Sequence, residues 1–319
     1  MLENTVRQAA TTDAEEVRSI VEGLSRPEKM ISPKYFYDET GSKLFDEITK
    51  LPEYYPTQTE LGIMRSCVGE IAALAGEQAS LIEFGSGSSL KTHVLLQNLR
   101  SLAAYVPVDI SEEHLLASAE ALRGDYPHIE IIPVVADFTK PFELPTPAIM
   151  PVKNIVYFPG STIGNFEHED SRALLEVMYG EAGANGALLI GVDLQKDTAI
   201  LERAYNDSAG VTAAFNRNML THLNREFGSD FNVEAYRHDA LYNVDKGRIE
   251  LRLVAESAQT VRLGDASIEI DAGEGILTEY SHKYTLEGFA ELAASAGFTV
   301  ERVWTDEDKL FSVQYLVRD

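Results

Sequence analysis

Short apolar runs alternate with longer amphipathic segments through the middle of the chain. Each short run predicts a buried strand, and each longer segment between two runs predicts a helix. The predicted strands are 81–84, 104–109, 129–135, 154–158 and 187–192, and the predicted helices are about 89–100, 111–126 and 169–179, with another opening at Asp197. Strands that alternate with helices indicate a parallel sheet with right-handed crossovers.

After Asp197 the alternation stops and hairpin signals appear. A helix is predicted at 205–227, with Gly210 placed to interrupt it, and hairpins are predicted at 240–243/248–256 and 259–263/266–270. A strand at 278–284 then returns to the α/β domain, followed by a helix at 285–296 closed by Gly297 and by strands at 298–304 and 311–318. Five parallel strands, an insertion, then a helix and a hairpin predict an α/β fold with a seven-stranded sheet.

The N-terminal part combines an amphipathic helix with a segment dense in aromatic residues. Thr12 to Glu15 is a capping box, which predicts a helix over 13–24. Six aromatic residues follow between Ser32 and Thr57, broken by prolines and glycine. They form either a collar packed on the main domain or a lid over a pocket, with phenol hydroxyls as polar groups on apolar bodies. A helix over 59–75 then leads into the parallel sheet.

A glycine turn follows the first predicted strand, and Ser88 or Ser89 can cap the helix after it. Such a turn leaves backbone N–H groups accessible to a small ligand. A phosphate loop and a dinucleotide loop would each need a glycine at Leu90. Glu83, Gly85 and Gly87 instead match E-x-G-x-G, which resembles the signature of class I methyltransferases that bind S-adenosylmethionine. A plain turn in an α/β protein is the alternative for this motif alone.

Acidic residues come at the ends of the next two predicted strands. In parallel sheets ligands bind at the carboxyl ends of the strands. Asp109 could accept both ribose hydroxyls of a nucleoside, while Asp137 could accept from an adenine amino group and Phe138 could stack on the ring. Lys91, on the first turn of the helix after Gly85, could pair with the carboxylate of the cofactor.

The composition narrows the class of protein. The 319 residues carry a net charge of −24 without a basic block, so we do not expect nucleic acid or an anionic membrane as a partner. No apolar run is long enough to span a membrane, and the polar N-terminus is unlike a signal peptide. A single cysteine, Cys67, excludes an internal disulfide, and the seven histidines show no metal-binding spacing. We expect a cytoplasmic protein without a metal, and a monomer.

Five stretches then resemble one family over nearly the whole chain, the ergothioneine-pathway histidine Nα-methyltransferases. These enzymes convert L-histidine to its trimethylammonium betaine, hercynine, with S-adenosylmethionine. The stretches are 35–38 (YFYD), 51–57 (LPEYYPT), 160–165 (GSTIGN), 209–218 (AGVTAAFNRN) and 277–281 (LTEYS). One departure is visible, because Leu251 stands where the family often has methionine.

The resemblance implies a role for each matching residue. Tyr54, Asn165 and Tyr205 would hold the substrate carboxylate and place its amino group. Tyr37, Glu279 and Ser281 would receive the imidazole, and Tyr37 and Asn165 are assigned as the catalytic residues. The residues implied to hold S-adenosylmethionine are Gly85, Lys91, Asp109, Asp137, Phe138, Gly160 and Thr162.

Taken together, these patterns predict two domains with different roles. Residues 60–196 and 285–319 would form the methyltransferase domain that binds the cofactor. Residues 10–59 and 197–284 would form a smaller α+β lobe that binds the substrate over the cofactor. Three alternatives are weighed against histidine methylation: the same chemistry on another aromatic amino acid such as a tryptophan derivative, a nicotinamide-dependent oxidoreductase, and an inactive binding module. Glu279 and Ser281 are the reason for preferring histidine.

Overall fold

The computed structural model of the protein describes residues 5–7, 12–86 and 90–318. The helices are α1 (Asp13–Leu24), α2 (Glu39–Ile48), α3 (Tyr55–Ala75), α4 (Leu90–Asn98), α5 (Glu112–Asp125), α6 (His168–Ala182), α7 (Thr198–Tyr205), α8 (Val211–Phe227) and α9 (Leu286–Ser295). Short 3-10 helices occupy Pro33–Phe36, Thr162–Asn165 and Val233–Ala235. None of the helices in these ranges combines the length and the apolar character needed to cross a membrane.

The strands are β1 (Val6–Arg7), β2 (Ala79–Phe84), β3 (Ala104–Asp109), β4 (Val134–Val135), β5 (Lys153–Phe158), β6 (Ala187–Asp193), β7 (Tyr236–Asn243), β8 (Arg248–Ala255), β9 (Gln259–Leu263), β10 (Ala266–Ile270), β11 (Gly275–His282), β12 (Phe298–Thr305) and β13 (Phe311–Arg318). Together with the helices they form two compact units. The first unit contains Met1–Ala9, Pro56–Gln195 and Tyr284–Asp319, and the second contains Ala10–Tyr55 and Lys196–Lys283.

One mixed sheet organises the first unit, with strand order β1-β4-β3-β2-β5-β6-β13-β12. The strands from β1 to β6 run parallel, and β13 pairs antiparallel with both β6 and β12. The predicted seven-stranded α/β fold is confirmed, and the two-residue strand β1 extends its edge. The predicted strand at 129–135 is too long, because only Val134–Val135 pairs as a strand. Ile131 makes an isolated bridge to Tyr105.

Apolar side chains cover both faces of this sheet, as expected of a parallel sheet enclosed by helices. Every residue of β2 and of β6 is buried. One core cluster joins β2 and β5 to α3 and α4, and a second joins the opposite face to α6 and α9. The rigid sheet therefore holds the loops at the carboxyl ends of β2, β3 and β5 in fixed positions.

The second unit is built on a three-stranded antiparallel sheet of order β11-β8-β7 and a hairpin of β9 and β10. The strand at 278–284 returns to the α/β domain only at its end, because β11 pairs with β8 in the second unit. Only Tyr284, which belongs to the first unit, bridges to Leu194. The predicted break at Gly210 is confirmed: its φ of 72° is left-handed and it precedes α8.

The capping signals of α1 and α9 behave as the sequence predicts, whereas Ser111, at the start of the predicted helix 111–126, makes no side-chain capping bond to α5. The Thr12 hydroxyl accepts from the Glu15 amide, and the Glu15 carboxylate accepts from the Thr12 amide, which completes the capping box of α1. The Thr285 hydroxyl caps α9 in the same way, accepting from the Gly288 amide. The predicted cap of α4 at Ser88 or Ser89 lies outside the described residues, as does Gly87.

Candidate active site

In the first unit, the chain turns sharply after β2. Gly85 has a φ of 73°, a conformation that side-chain-bearing residues rarely adopt. A Cβ built on Gly85 would lie 3.6 Å from the Phe138 ring, so the glycine keeps this side of the turn open. The Ser86 hydroxyl is buried and has no hydrogen-bond partner among the described residues. A buried polar atom of this kind commonly receives a ligand or water.

The glutamate of the E-x-G-x-G motif stabilises this turn through hydrogen bonds to two neighbouring elements. Glu83 is fully buried, and its carboxylate accepts from the Thr92 hydroxyl on α4 at 2.8 Å and from the Tyr105 hydroxyl on β3 at 2.5 Å. Burial raises the pKa of Glu83 to about 7, although the two hydroxyl donors act to lower it. Glu83 therefore connects β2 to the neighbouring strand and to the helix that follows the turn.

A second buried carboxylate connects two loops at the same edge of the sheet. Glu60 on α3 accepts from Lys91 Nζ at 2.5 Å and from the backbone amide of Gly160 at 3.0 Å. Both side chains of the ion pair are nearly inaccessible, at 1% for Glu60 and 10% for Lys91. Gly191 leaves room for the carboxylate, because a Cβ there would lie 2.1 Å from Glu60 Oε1. In this structure Lys91 thus has a protein partner, and its predicted pairing with a cofactor carboxylate stays a prediction.

The strand-end acids lie where the sequence predicts them. Asp109 is the last residue of β3 and accepts from the Ser111 amide at 2.8 Å. Burial raises the pKa of Asp109, against the effect of that amide. Asp137 follows β4 and accepts from the Thr139 hydroxyl at 2.5 Å. Although burial acts to raise it, the pKa of Asp137 is lowered overall by Thr139 and Lys140.

The Phe138 ring lies beside the glycine turn that follows β2. Its half-buried ring packs against Phe84 at a centroid distance of 5.6 Å and against Phe158 at 5.8 Å. Because Gly85 lies beside the same ring, Phe138 and the glycine turn share one surface.

The loop after β5 is shaped by two left-handed residues in succession. Gly160 has a φ of 80° and Ser161 a φ of 57°. The strained Ser161 backbone is held by its hydroxyl, which accepts from the Asp193 amide at 2.9 Å. Thr162 donates its hydroxyl to the Pro159 carbonyl at 2.9 Å, and the short helix that starts at Thr162 ends at Asn165, which is half-buried. These two hydroxyl groups therefore help to hold the shape of the loop.

In the second unit, aromatic rings connect three of the predicted substrate residues. Tyr37 packs edge-on against Phe45 at 5.9 Å, Phe45 against Tyr54 at 6.4 Å, and Tyr54 against Tyr205 at 6.0 Å. Tyr37 is 42% exposed, so part of its ring is open to solvent. The predicted aromatic segment thus packs within its own unit, and the rings present π-faces that suit a cationic ligand.

Strand β11 contributes polar side chains to the candidate site of the second unit. Glu279 and Ser281 are two positions apart and therefore lie on the same face of the strand. The Ser281 and Tyr205 hydroxyls are 2.8 Å apart, and Lys283 Nζ donates to both of them. Burial raises the pKa of Glu279 to about 7, and the positive charge of Lys283 opposes that shift.

Leu251 lies directly opposite Glu279 in the antiparallel pair of β8 and β11. Opposite residues in such a pair have neighbouring side chains, so the buried Leu251 forms an apolar wall beside the carboxylate. The departure from the family pattern therefore lies next to Glu279, which the resemblance implies as an acceptor for the imidazole.

Two residues of these sites were not singled out from the sequence. Lys283 continues the alternation of Glu279 and Ser281, and that spacing could have identified it. Glu60 gives no comparable signal, because a glutamate on an amphipathic helix is ordinarily solvent-exposed. No group of histidine, cysteine, aspartate and glutamate side chains that could hold a metal ion is found in the described part of the chain.

Comparisons with known proteins show what the whole chain is similar to. A family model described as a histidine-specific, S-adenosylmethionine-dependent methyltransferase matches residues 16–318. The chain is 42% identical over 317 residues to the histidine N-alpha-methyltransferase of Mycolicibacterium smegmatis, a match that covers 97% of both proteins. It is 30% identical over 276 residues to ergothioneine biosynthesis protein 1 of Neurospora crassa, covering 84% of this chain and 31% of that protein.

Among solved structures, an S-adenosylmethionine-dependent methyltransferase from Clostridium acetobutylicum aligns with a TM-score of 0.51 at 9% identity. The match covers 88% of this chain and 99% of the other. At this identity the likeness concerns the fold alone.

Proposed function

This chain belongs to the family of histidine-specific, S-adenosylmethionine-dependent methyltransferases, and we propose that it trimethylates the α-amino group of L-histidine to form hercynine. The observation that carries the choice of substrate is the buried Glu279 carboxylate beside the paired hydroxyls of Ser281 and Tyr205. Neutral imidazole has one N–H donor and one acceptor nitrogen. Glu279 accepts from the first, and the Ser281 hydroxyl donates to the second.

The methyl donor is S-adenosylmethionine, and the residues of the first unit fit it. Gly85 leaves open space at the turn, and the Ser86 hydroxyl is buried without a partner among the described residues. When bound, the donor supplies a methyl group that its sulfonium already activates. We assign its binding to Gly85, Lys91, Asp109, Asp137, Phe138, Gly160 and Thr162.

The other substrate contacts follow from the chemistry of an amino acid. Tyr54, Tyr205 and Asn165 are assigned to the α-carboxylate and to the placement of the amine. Tyr37 is assigned to the imidazole, and Tyr37 and Asn165 are the proposed catalytic residues. Successive methylations build up a quaternary ammonium group, which the faces of aromatic rings such as Tyr37 and Tyr54 tolerate.

The protein's main task is to orient the amine, and no side chain is required as a general base. An α-amino group has a pKa of about 8, so a neutral, reactive fraction exists near neutral pH. A carboxylate beside the amine would favour the protonated, unreactive form. The rate should therefore follow the titration of the substrate amine, and a single Tyr or His substitution that abolished the pH dependence would contradict this account.

A panel of amino acids tests the substrate. The protein is incubated with S-adenosylmethionine and each aromatic amino acid in turn, and the products are read by mass spectrometry. We expect a gain of three methyl groups on histidine only. Methylation of a tryptophan derivative in preference to histidine would overturn the proposal and would favour the related reaction on an indole amino acid.

Glu279→Ala tests the site. The variant leaves a histidine N–H without its acceptor, so histidine turnover should fall sharply, by about 10-fold to 1,000-fold. Cofactor affinity, measured by titration calorimetry, should be unchanged. An equal loss of histidine turnover and of cofactor affinity would argue against the assignment. We further propose that the enzyme acts in ergothioneine biosynthesis, in the cytoplasm and as a monomer.

A further inference from the structure

A buried lysine, Lys283, follows strand β11 in the second unit. It is only 3% exposed, and its backbone amide donates to the Gly247 carbonyl at 2.8 Å. Burying an ammonium group is unfavourable unless hydrogen bonds and opposite charge compensate it. A buried lysine beside a proposed binding site is therefore expected to have a specific role.

The Lys283 side chain forms a triangle with two hydroxyl groups. Lys283 Nζ lies 2.9 Å from the Tyr205 hydroxyl and 2.7 Å from Ser281 Oγ, which are themselves 2.8 Å apart. The ammonium group is only a donor, so both hydroxyl oxygens accept from it. One hydroxyl hydrogen closes the third side of the triangle.

The hydrogens of the three groups can be divided into those used within the triangle and those that are not. Two of the three ammonium hydrogens and one of the two hydroxyl hydrogens are used within it. Because both hydroxyls accept from the ammonium group, the hydroxyl hydrogen that is not used in the triangle points away from Lys283, in a direction that the lysine fixes. A hydroxyl that accepts from a cation is also a stronger donor, because chains of hydrogen bonds polarise one another.

We propose that Lys283 is a positioning residue for the amino-acid substrate, which orients the Tyr205 and Ser281 hydroxyls as donors and balances the charge of Glu279. This inference rests on the proposed function and adds to it a residue that contacts the substrate only through others. The ammonium group also lies 4.9 Å from the centroid of the Tyr205 ring, which fixes that ring as well as its hydroxyl.

The charge of Lys283 suits the site because Glu279 is buried on the same strand. Without a nearby cation, a buried carboxylate tends to take up a proton and would no longer accept from an imidazole N–H. Lys283 lowers the pKa of Glu279 against the effect of burial. The lysine therefore acts on both polar partners of the ring, the hydroxyl donor and the carboxylate acceptor.

The test compares Lys283→Met with Lys246→Met. Methionine has nearly the length of lysine but no charge or donor, and Lys246 is an exposed lysine on the β7–β8 hairpin of the same unit. For Lys283→Met we expect kcat/KM for histidine to fall about 10-fold to 100-fold, the range for losing a hydrogen bond to a charged group. The KM for histidine should rise while the affinity for S-adenosylmethionine stays constant. Lys246→Met should change neither.

A double-mutant cycle then separates positioning from a general structural role. In a Tyr205→Phe/Ser281→Ala background the two hydroxyls are gone, so Lys283→Met should cost at least about threefold less than it does in the wild type, and the remaining cost is its charge effect on Glu279. A full additional loss in that background, or an equal loss of cofactor affinity, would overturn the proposal. If Lys283→Met does not fold, Tyr205→Phe and Ser281→Ala test the proposal without it. One lysine orients both hydroxyls, so the effects of these two variants on kcat/KM should be non-additive. Additive effects would overturn the proposal.

The outcome is distinguishable from failure of the proposed function. If the wild-type protein does not methylate histidine, the proposed function fails. If the wild type methylates histidine and Lys283→Met does so with unchanged kcat/KM, only the inference about Lys283 fails.

Discussion

The ion pair of Glu60 and Lys91 gives the sharpest prediction about the first unit. Glu60→Gln keeps the size of the side chain and an oxygen that can still accept from the Gly160 amide, but it removes the negative charge. Lys91 then remains buried without its closest counter-charge. Breaking a buried pair by removing one partner costs about 3–5 kcal/mol of folding free energy.

The neighbouring Glu83 places the expected cost at the lower end of that range. Burial raises the pKa of Glu83 to about 7, Lys91 acts to lower it, and the charge of Glu60 acts to raise it. Once Glu60 is neutral, the pKa of Glu83 falls and its carboxylate becomes a partial counter-charge for Lys91. We therefore expect Glu60→Gln to cost about 3 kcal/mol near pH 7.

Urea unfolding followed by circular dichroism measures this loss in the wild type, Glu60→Gln, Lys91→Met and the double variant. The double variant should cost clearly less than the sum of the singles, with a coupling of about 1 kcal/mol or more. As a matched control, Glu39→Gln breaks the exposed Glu39–Lys43 pair and should leave the unfolding midpoint unchanged. The reasoning is refuted if Glu60→Gln costs less than about 1 kcal/mol and the two changes add.

Three further predictions concern the same unit. The folded-state pKa of Glu83, about 7, is above its ordinary value of 4.5, so its contribution to stability is present below pH 4.5 and is lost as the pH rises through 7. The loss amounts to about 3 kcal/mol, and urea titrations should show a flatter pH dependence in Glu83→Gln. Gly85→Ala forces a side chain into a left-handed backbone and should cost about 1–2 kcal/mol, with weaker binding of S-adenosylmethionine by calorimetry. Gly191→Ala should displace Glu60 and lower the thermal midpoint, whereas Gly62→Ala on α3, with no neighbour within 4 Å of its Cβ, should leave the midpoint unchanged or raise it.

Much of the first unit can be predicted from the sequence because its signals are local. Buried strands and strand-end acids follow from runs of apolar residues and from the topology that such runs imply. The prediction of a strand at 129–135 is too long for a physical reason: its apolar residues are mostly buried, but the isolated bridge of Ile131 to Tyr105 and the pairing of Val134–Val135 do not join into one continuous ladder. Apolar patterning reports burial, and it reports pairing only indirectly.

In the second unit, contacts between residues distant in sequence limit what can be predicted from the sequence. The strand signal at 278–284 is correct, but the sequence does not reveal that this strand pairs with β8, because pairing depends on contacts that no local pattern contains. Likewise, the acceptor and hydroxyl of β11 could be identified, while the partnership of Lys283 with Tyr205 joins residues 78 positions apart. The buried role of Glu60 depends in the same way on the space left by Gly191.

The position of β13 has a consequence for how the protein is made. This strand is inserted between β6 and β12, so the sheet of the first unit is completed only after residues 311–318 have left the ribosome. Until then β6 presents an open edge of apolar residues, which favours association with other nascent chains. We expect this unit to complete its folding only after β13 has been synthesised, with chaperones protecting the exposed edge of β6 in the interval.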